Sequence, residues 1–409
     1  MIDPRAIREQ FPMYSRGGMY DGRPLHYLDN CATTFKPYRV IEAADRYNTE
    51  VTANTKRGDY ALAHDADVAY DSSREAVARF INAETDEVCF TSGDTMGLNQ
   101  AAFGLAHRLS PGDEIVLSYH EHASAVLPFF KVAERTGARI VYVPLDEDGR
   151  VTPDALRSVV GDRTRMVCLA STTNVLGYSL DVREMARIAH SVGAVYIDDG
   201  AQSVPHRRTD VKESGADVLC FSGHKMCGPT GIGVMYGTRE VLQEMEPLMW
   251  GGEMNARFKS DGTYSLDDPP SRFEAGTQNV SGAMGLAEAC RFLEDIGFSD
   301  IQRHEEALRR RAVDGLSAIE DIAIYNPDAD AGIVAFNSKT VFAQDVATLL
   351  GSKGVFVRSG THCAKILPEF TKAPATVRAS FYVYNDEDDV DALIGAASHT
   401  EEFLDVYFR

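Results

Sequence analysis

Two neighbouring stretches decide the fold, and they read AVYIDDGAQ over residues 194–202 and VLCFSGHK over residues 218–225. Each stretch begins as a continuous apolar run and ends in charged or polar residues. Such runs are typical of strands that are covered on both faces within a parallel sheet. Because ligands bind beyond the carboxyl ends of such strands, the polar residues that end each stretch are candidate site residues.

Similar short apolar runs recur along the chain, and helix-like stretches separate most of them. The other runs are 88–90, 114–117, 139–143, 166–169 and 231–236, and the helix-like stretches include 39–50, 66–82, 95–109, 121–136 and 181–192. This alternation predicts an α/β fold with a mostly parallel, seven-stranded sheet and helices on both of its faces. No helix-like stretch precedes the run 231–236, so we expect an antiparallel strand there.

After about residue 290 the pattern changes. A long polar helix is predicted through roughly 297–319, followed by short strands and helices and a last helix near 386–403. This succession is typical of a smaller α+β domain. We therefore expect a large domain over residues 21–290 and a small domain formed by residues 1–20 and 291–409.

Charge excludes two classes of partner. The 409 residues include 41 basic and 61 acidic ones, which gives a net charge of −20. A surface of this sign repels nucleic acid and anionic membranes, so neither is expected as a partner. The N-terminal residues lack an apolar signal region, and no apolar run approaches the roughly 20 residues that span a bilayer.

The seven cysteines are odd in number, scattered, and never arranged as C-x-x-C. Neither a disulfide framework nor a metal site is therefore indicated. Cys89, Cys168 and Cys220 lie inside apolar runs, and we expect them to be small core residues. A reducing cytoplasm is the compartment that best fits this use of cysteine.

Lys225 ends one of the quoted stretches, and Asp199 follows the strand of the other. Pyridoxal 5′-phosphate (PLP) requires a lysine for its aldehyde, an acid for its pyridine nitrogen, a group at its phenolic oxygen, a phosphate site and a ring-stacking partner. Asp198 is the alternative acid. We favour Asp199 because it lies three residues before Gln202, a spacing that lets Gln202 reach the phenolic oxygen. The pattern predicts a PLP site around Lys225.

Candidates for the remaining PLP contacts follow other strands. Residues 91–96 join a strand to a helix, whose first N–H groups suit a phosphate, although Asp94 or Thr95 could equally cap that helix. Ser222 and His224 flank the lysine and could also bind phosphate. His122 follows the strand-like run at 114–119, where it could stack on the ring, carry protons or be structural.

Cys363 lies in a glycine-containing loop with Arg358 and His362 nearby. Positive neighbours lower the pKa of a thiol and favour the nucleophilic thiolate, although an inert small residue is the alternative interpretation. Asn174 and Arg378 are candidates for the phenolic oxygen and for a substrate carboxylate, which suits the arginine fork. A PLP lysine together with a loop thiol indicates sulfur chemistry on an amino acid.

Several motifs, taken together, resemble those of a group II (Suf-type) cysteine desulfurase, in the class V aminotransferase family of fold-type I PLP enzymes. The similarity runs nearly end to end. It is carried by the segments 27–34, 174–177, 199–202, 222–225, 228–231, 272–277, the R-x-G-x-x-C-A block at 358–364 and 378–380.

The resemblance implies roles for named residues. Around PLP it implies Lys225 on the aldehyde, Asp199 on the pyridine nitrogen, Gln202 on the phenolic oxygen, His122 on the ring, Thr95, Ser222 and His224 on the phosphate, and Thr277 on the phosphate bound by the other subunit of a homodimer. It also implies that Asn174, Arg358 and Arg378 bind the substrate L-cysteine and that Cys363 accepts its sulfur. Family members are typically cytosolic dimers that pass persulfide sulfur to a small acceptor protein for iron–sulfur cluster assembly.

Some positions depart from the family pattern, and they surround the substrate and the subunit interface rather than the cofactor. The departures are Cys31, the Lys56-Arg57-Gly58 run, Asp94, Met96, Ala123 where a second histidine is usual, Trp250 and Gln278. An acid at position 94 would repel a phosphate unless its side chain points away.

Two alternative functions remain open at this point. One is a selenocysteine lyase or a related β-elimination, because selenium can leave without attack by a protein thiol and Cys363 does not exclude that reaction. The other is a PLP-binding interaction subunit, which only the departures at Met96 and Ala123 support.

Overall fold

The computed structural model describes residues 2–15, 17–56 and 58–404, and for Asn255 and Ala256 only the backbone. Arg57, one of the predicted departures, lies outside these residues. The chain divides into a small unit, with residues up to 38, 172–179 and from 296 on, and a large unit, with residues 39–171 and 180–295. The domain boundaries at 20 and 290 stay a prediction.

The large unit contains a seven-stranded sheet. In spatial order its strands are Val88–Thr91, Gly233–Gly237, Val218–Ser222, Val195–Asp199, Thr164–Ala170, Glu114–Ser118 and Arg139–Val143. Gly233–Gly237 is antiparallel to both of its neighbours, and the other four pairs are parallel. The predicted sheet is confirmed, including the expected antiparallel strand. Six strands thus share one direction, and their carboxyl ends meet at one edge.

Helices cover both faces of this sheet because alternate strand residues point to opposite sides. Ile115 packs in one apolar cluster with Leu98 and Phe129, whereas its neighbour Val116 packs in another with Met185. The helices are Tyr38–Glu50, Ala61–Phe80, Asp94–Gly104, Ala123–Thr136, Pro153–Val159, Val182–His190, Val211–Ser214, Arg239–Glu244 and Val280–Ile296. Short 3-10 turns are Thr85–Glu87, Ala106–Arg108, Gly223–Lys225 and Ser271–Phe273, and Asn255–Phe258 pairs with Tyr264–Leu266 as a hairpin.

Three cysteines of the large unit lie in this core, as predicted. Cys89, Cys168 and Cys220 are fully buried within strands. Burial raises the pKa of each thiol, so all three are neutral core residues.

The small unit is built on an antiparallel four-stranded sheet, in the order Ile322–Ile324, Ile333–Ser338, Thr376–Ser380 and Arg358–Gly360. Its helices are Pro4–Arg8, Phe298–Ser317, Ala343–Ser352, Pro368–Thr371 and Glu387–Ala397, with 3-10 turns at Pro12–Tyr14 and Thr400–Glu402. Two short pairs complete it: Met19–Tyr20 with Arg23–Pro24, and His26–Tyr27 with Val355–Phe356. The predicted α+β character and the long helix near 297–319 are therefore confirmed.

Within the described residues, no helix is both long enough and apolar enough to cross a bilayer.

Candidate active site

Lys225 and Asp199 lie beyond the ends of two adjacent parallel strands of the large unit. The strand Val195–Asp199 ends in the buried Asp199, and Lys225 completes the 3-10 turn that follows Val218–Ser222. The backbone N–H of Ala201 donates to Asp199 Oδ1 at 3.1 Å. Burial raises the pKa of Asp199, and the nearby charge of Lys225 opposes that rise. An amine and a buried acid are thus placed in one electrostatic environment.

Asp198, the alternative acid, lies in a different environment, because adjacent strand residues point to opposite faces. Burial raises the pKa of Asp198 to about 7, and its hydrogen bonds with Ser171 oppose the rise. The charge of Lys225 opposes the rise in the pKa of Asp199, whereas at Asp198 the opposing interactions are the hydrogen bonds with Ser171. This difference supports Asp199 as the partner of Lys225.

The helix Asp94–Gly104 begins beside Ser222. The expectation that Asp94 or Thr95 caps it is wrong, because the N-cap is Gly93, whose φ of 152° suits glycine. The N–H of Asp94 instead donates to Ser222 Oγ at 2.7 Å. Ser222 keeps its hydroxyl proton for another acceptor, and the first N–H groups of a helix as a rule lack intrahelical partners. Both features suit a phosphate.

Glycine is required on the other side of this turn. A Cβ atom at Gly233 would lie 2.5 Å from Gly93 Cα, so only glycine lets the antiparallel strand approach so closely. In register, Gly233 pairs with both Thr91 and Ser222. A phosphate site of backbone N–H groups and one hydroxyl, an amine at Lys225 and an acid at Asp199 are a donor set that fits PLP.

The environment of Asp94 bears on the expected electrostatic repulsion between its carboxyl group and a phosphate. Its carboxyl group is buried, and Oδ1 has no hydrogen-bond partner among the described residues. Burial raises the pKa of Asp94 well above its usual range, and the charge of Asp199 raises it further. The raised pKa favours the protonated carboxyl, which repels an anion less than a carboxylate does, and the charge of Lys225 opposes the rise.

His122 caps the helix Ala123–Thr136, with Nδ1 accepting the N–H of Ser124 at 3.2 Å. Ser124 Oγ lies 3.0 Å from the same nitrogen and 2.7 Å from Thr95 Oγ1. Two predicted cofactor residues, Thr95 and His122, are thus joined through Ser124. Sequence reasoning missed Ser124, although a serine at the start of a helix, two residues after a candidate histidine, is a usable signal.

Another buried acid, Glu121, lies at the same edge of the sheet. Its Oε1 accepts the hydroxyl proton of Ser118 at 2.5 Å, and its Oε2 accepts the N–H of Ala170 at 3.0 Å. Burial raises the pKa of Glu121 to about 8, although both hydrogen bonds oppose the rise. Glu121 is therefore mostly protonated at neutral pH.

The remaining predicted cofactor residues of the large unit differ in exposure. Gln202 is buried in the turns after Asp199, and His224 is half-buried in the turn of Lys225. Thr277 is exposed, as is Thr95. The role of Thr277 toward a partner subunit stays a prediction.

In the small unit, two predicted substrate residues lie opposite each other on neighbouring strands. Arg358 and Arg378 are register partners, but Arg378 is 2% exposed whereas Arg358 is exposed. Arg378 Nη2 donates to Asp29 Oδ1 at 3.2 Å, while Nε has no partner among the described residues. Burial raises the pKa of Asp29, and the charges of both arginines oppose the rise. This arrangement concentrates positive charge that suits a carboxylate.

Asn174 connects Arg378 with the cysteine loop of the same unit. Its backbone carbonyl accepts a hydrogen bond from Arg378 Nη1 at 2.7 Å, and its side-chain Nδ2 donates to the carbonyl of His362 at 2.7 Å. His362 and Cys363 adopt φ values of 51° and 62°, in the left-handed region that non-glycine residues rarely occupy. Cys363 is only partly buried, whereas the other six cysteines are buried.

His362 does not supply positive charge to Cys363, and this correction concerns the predicted thiol environment. Its Nε2–H donates to the carbonyl of Thr376 at 3.0 Å, since that oxygen can only accept. Burial, together with the charge of Arg378, lowers the pKa of His362 to about 3. The ring is therefore neutral, and the charges that act on it are those of Arg378 and Arg358.

Comparison with known proteins identifies the class to which this fold and these residues belong. Residues 26–393 match the class V aminotransferase family. A probable cysteine desulfurase of Halalkalibacterium halodurans is 43% identical over 408 residues, which cover 98% of this chain and 99% of the relative. The chain belongs to the class V aminotransferase family and, within it, to the cysteine desulfurases.

Solved structures agree with this assignment. A cysteine desulfurase from Thermococcus onnurineus superposes with a TM-score of 0.92 at 36% identity, covering 97% of this chain and 98% of the other. A cysteine desulfurase from Escherichia coli gives a TM-score of 0.90 at 35% identity, covering 98% and 99%. The predicted fold-type I architecture and the family resemblance are confirmed.

Proposed function

We propose that the protein is a PLP-dependent cysteine desulfurase that converts L-cysteine to L-alanine and retains the sulfur as a persulfide on Cys363. The observation that carries this proposal is Asn174, which binds both Arg378 and the carbonyl of the residue before Cys363. A partly buried thiol and a group suited to a carboxylate are thereby fixed to one residue. Such fixed orientation is what sulfur chemistry on an amino acid requires.

Each predicted residue receives a role in this proposal. PLP, when bound, supplies an electron sink for the charge that develops at the substrate α-carbon. Asp199 keeps the pyridine nitrogen protonated, and the Lys225 amine removes the α-proton. Arg378 binds the carboxylate and orients the Cα–H bond.

The other predicted residues hold the cofactor or support the substrate. Gln202 contacts the phenolic oxygen and His122 the ring, while Thr95, Ser222 and His224 bind the phosphate together with Thr277 from a second subunit. Asn174 and Arg358 complete the substrate site. Buried hydrogen bonds at Ser222 and Asn174 support these two assignments most directly.

The sulfur step balances without an added oxidant. The Cys363 thiolate attacks the sulfur of L-cysteine, so an S–S bond forms and the Cβ–S bond breaks. The electron pair of the broken bond stays with carbon, which takes up a proton. The products are L-alanine and a Cys363 persulfide.

The test is alanine formation from L-cysteine by the wild type and by Cys363→Ala, with the persulfide measured by mass spectrometry. We expect Cys363→Ala to retain the PLP absorption spectrum and to lose persulfide and alanine. Cys290→Ala, which changes a buried cysteine of the large unit, is the matched control and should retain both products. Full turnover of L-cysteine by Cys363→Ala would overturn the role of Cys363.

The alternative function, a selenocysteine lyase, is tested in the same assay. L-Cysteine and L-selenocysteine compete for the wild type, and Cys363→Ala is offered each alone. If the PLP-bound protein forms alanine from L-selenocysteine but not from L-cysteine, the protein is a selenocysteine lyase and not a cysteine desulfurase.

A homodimer belongs to this proposal. Trp250, Phe258 and Tyr264 of the large unit are 56%, 75% and 62% exposed and line a cavity of about 490 Å³ at the hairpin. Exposed apolar clusters of this kind mark interaction surfaces. Light scattering of the wild type should give twice the chain mass, and Phe258→Ser should weaken the association. A monomeric wild type would contradict this part of the proposal.

The persulfide requires an acceptor, and we propose a small sulfur-acceptor protein in the cytoplasm. The net charge of −20 favours a partner with a basic surface. The seven cysteines are scattered along the sequence without a C-x-x-C pair, a pattern that favours a reducing compartment. This partner is tested by incubating the persulfide form of the protein with a candidate acceptor. An increase in the mass of the acceptor by one sulfur atom would support the transfer.

A further inference from the structure

Ser124 lies between two residues that are proposed to contact the cofactor. Its Oγ is 2.7 Å from Thr95 Oγ1 and 3.0 Å from His122 Nδ1, and its own N–H donates to that nitrogen at 3.2 Å. Ser124 is 9% exposed, so its hydroxyl group is largely shielded from water. All three residues belong to the large unit, and no role is assigned to Ser124 in the proposal above.

The backbone donor determines which ring nitrogen carries the proton. An N–H group can only donate, so His122 Nδ1 must present a lone pair to the N–H of Ser124. The proton of the neutral ring is then on Nε2. The nearby hydroxyl can donate to Nδ1 as well, and Thr95 can in turn donate to Ser124 Oγ.

We propose that Ser124 is a positioning residue that, with its backbone N–H and its hydroxyl group, holds His122 in the Nε2–H form and couples it to Thr95. Nδ1 is then occupied as the cap of the helix Ala123–Thr136, and only Nε2 exchanges a proton with the site. Protonation at Nδ1 requires loss of that cap.

The coupling has a direction that depends on Thr95. When the Thr95 hydroxyl donates to Ser124 Oγ, the Ser124 hydroxyl is available to His122 Nδ1. When Thr95 donates to a phosphate, the Ser124 hydroxyl turns to Thr95 Oγ1, and Nδ1 retains the backbone donor alone. Occupancy of the phosphate site is thereby transmitted to the histidine through two hydroxyl groups.

The first test is nitrogen NMR of the full-length holoenzyme labelled with ¹⁵N-histidine, in which protonated and lone-pair ring nitrogens resonate far apart. A spectrum of His122→Gln identifies the His122 signals. We expect a lone-pair signal for Nδ1 and a protonated signal for Nε2 in the wild type. A protonated Nδ1 would overturn the proposal.

The second test compares Ser124→Ala with Ser124→Thr, which keeps a hydroxyl group. We expect Ser124→Ala to shift the Nδ1 signal in the protein without PLP, where the Ser124 hydroxyl is available to that nitrogen, and to leave it nearly unchanged in the holoenzyme. In the holoenzyme we expect kcat to fall by about three- to tenfold with an unchanged KM, as loss of the buried hydrogen bond between Ser124 and Thr95 predicts. Ser124→Thr should restore both values. Ser158→Ala, whose exposed hydroxyl donates only to the carbonyl of Ala155, is the control.

The kinetic part rests on the proposed desulfurase function, whereas the NMR part does not require turnover. Absence of alanine formation in the wild type would therefore count against the function and leave the nitrogen signals as the test of Ser124. Ser124→Ala with wild-type nitrogen signals in the protein without PLP would overturn the coupling, whatever its activity.

Discussion

The two units hold their proposed reactive groups by different means. In the large unit, Lys225 and Asp199 follow directly from strand ends, and regular backbone hydrogen bonds fix their positions. In the small unit, Cys363 stands in a left-handed turn that side chains of Asn174 and His362 hold in place. A backbone conformation that is sparsely populated persists only where surrounding contacts hold it, so the turn depends on these side chains. The difference predicts which substitutions abolish turnover and which weaken substrate binding or stability.

The two units also contain buried titratable groups whose pKa values shift in opposite directions. Burial raises the pKa of Glu121 in the large unit to about 8, so this carboxyl group is mostly protonated at neutral pH. In the small unit, burial lowers the pKa of His362 to about 3, so this group lacks a proton. The contributions of Glu121 and His362 to stability should therefore respond to pH in opposite directions.

Lys225→Ala should have the largest effect. The amine is the proposed α-proton base, and loss of such a group lowers turnover by about 10³-fold or more. Alanine formation and the PLP absorption spectrum measure the change. Lys131→Ala, an exposed lysine of the helix Ala123–Thr136, is the control and should match the wild type. A fall of less than about tenfold would show that another group removes the proton.

The two arginines of the small unit should differ in effect. Arg378→Gln removes charged hydrogen bonds from a buried site, which should raise KM for L-cysteine by about 10- to 100-fold. It also leaves Asp29 without its closest cation, so the midpoint of thermal unfolding should fall. Arg358→Gln is exposed and should change KM by less than about threefold. Equal effects would show that the register pair binds the carboxylate jointly.

Glu121→Gln tests the pH response of the large unit. The folded pKa of about 8 exceeds the unfolded value near 4.5, so this group's stabilisation is complete below pH 4.5 and is lost as pH rises toward 8. Between pH 5 and 7 the wild type should lose about 2 kcal/mol from this source, and Glu121→Gln should not. Chemical unfolding at both pH values measures the difference, with the exposed Glu134→Gln as control.

His362→Gln tests the small unit, where the sign is reversed. The folded pKa of about 3 is below the unfolded value near 6.5, so stabilisation is complete above pH 6.5 and is lost as pH falls toward 3. Between pH 6.5 and 5 the wild type should lose about 1.5 kcal/mol from this source. His362→Gln should show a shallower decline, and the exposed His399→Gln should behave like the wild type. Identical slopes in all three proteins would contradict a buried neutral His362.

The sequence predicted the features that follow from regular structure. Apolar runs located the seven strands, and the missing helix before residue 231 identified the antiparallel one. Lys225 and Asp199 could be found because they follow strand ends. These predictions succeeded because periodicity and chain order determine which residues end a strand.

Features that depend on burial could not be predicted in the same way. Asp94 was expected as a possible cap, but its carboxyl is buried with a raised pKa, and Gly93 is the N-cap. His362 was expected to help the thiol through charge, but enclosure keeps it neutral. Ser124 and Asp29 were missed because their partners lie 29 and 349 residues away along the chain. Such contacts exist only in the folded chain.

The segment 172–179 determines where the gene for this protein can be divided into fragments that fold. It belongs to the small unit although the large unit's sequence surrounds it. It contributes the Asn174 carbonyl to Arg378 and the Leu176 carbonyl to Asn326. A gene fragment that begins at residue 296 would thus encode an incomplete module. Recombination between relatives that exchanges the C-terminal part must carry a compatible eight-residue insert from the middle of the gene.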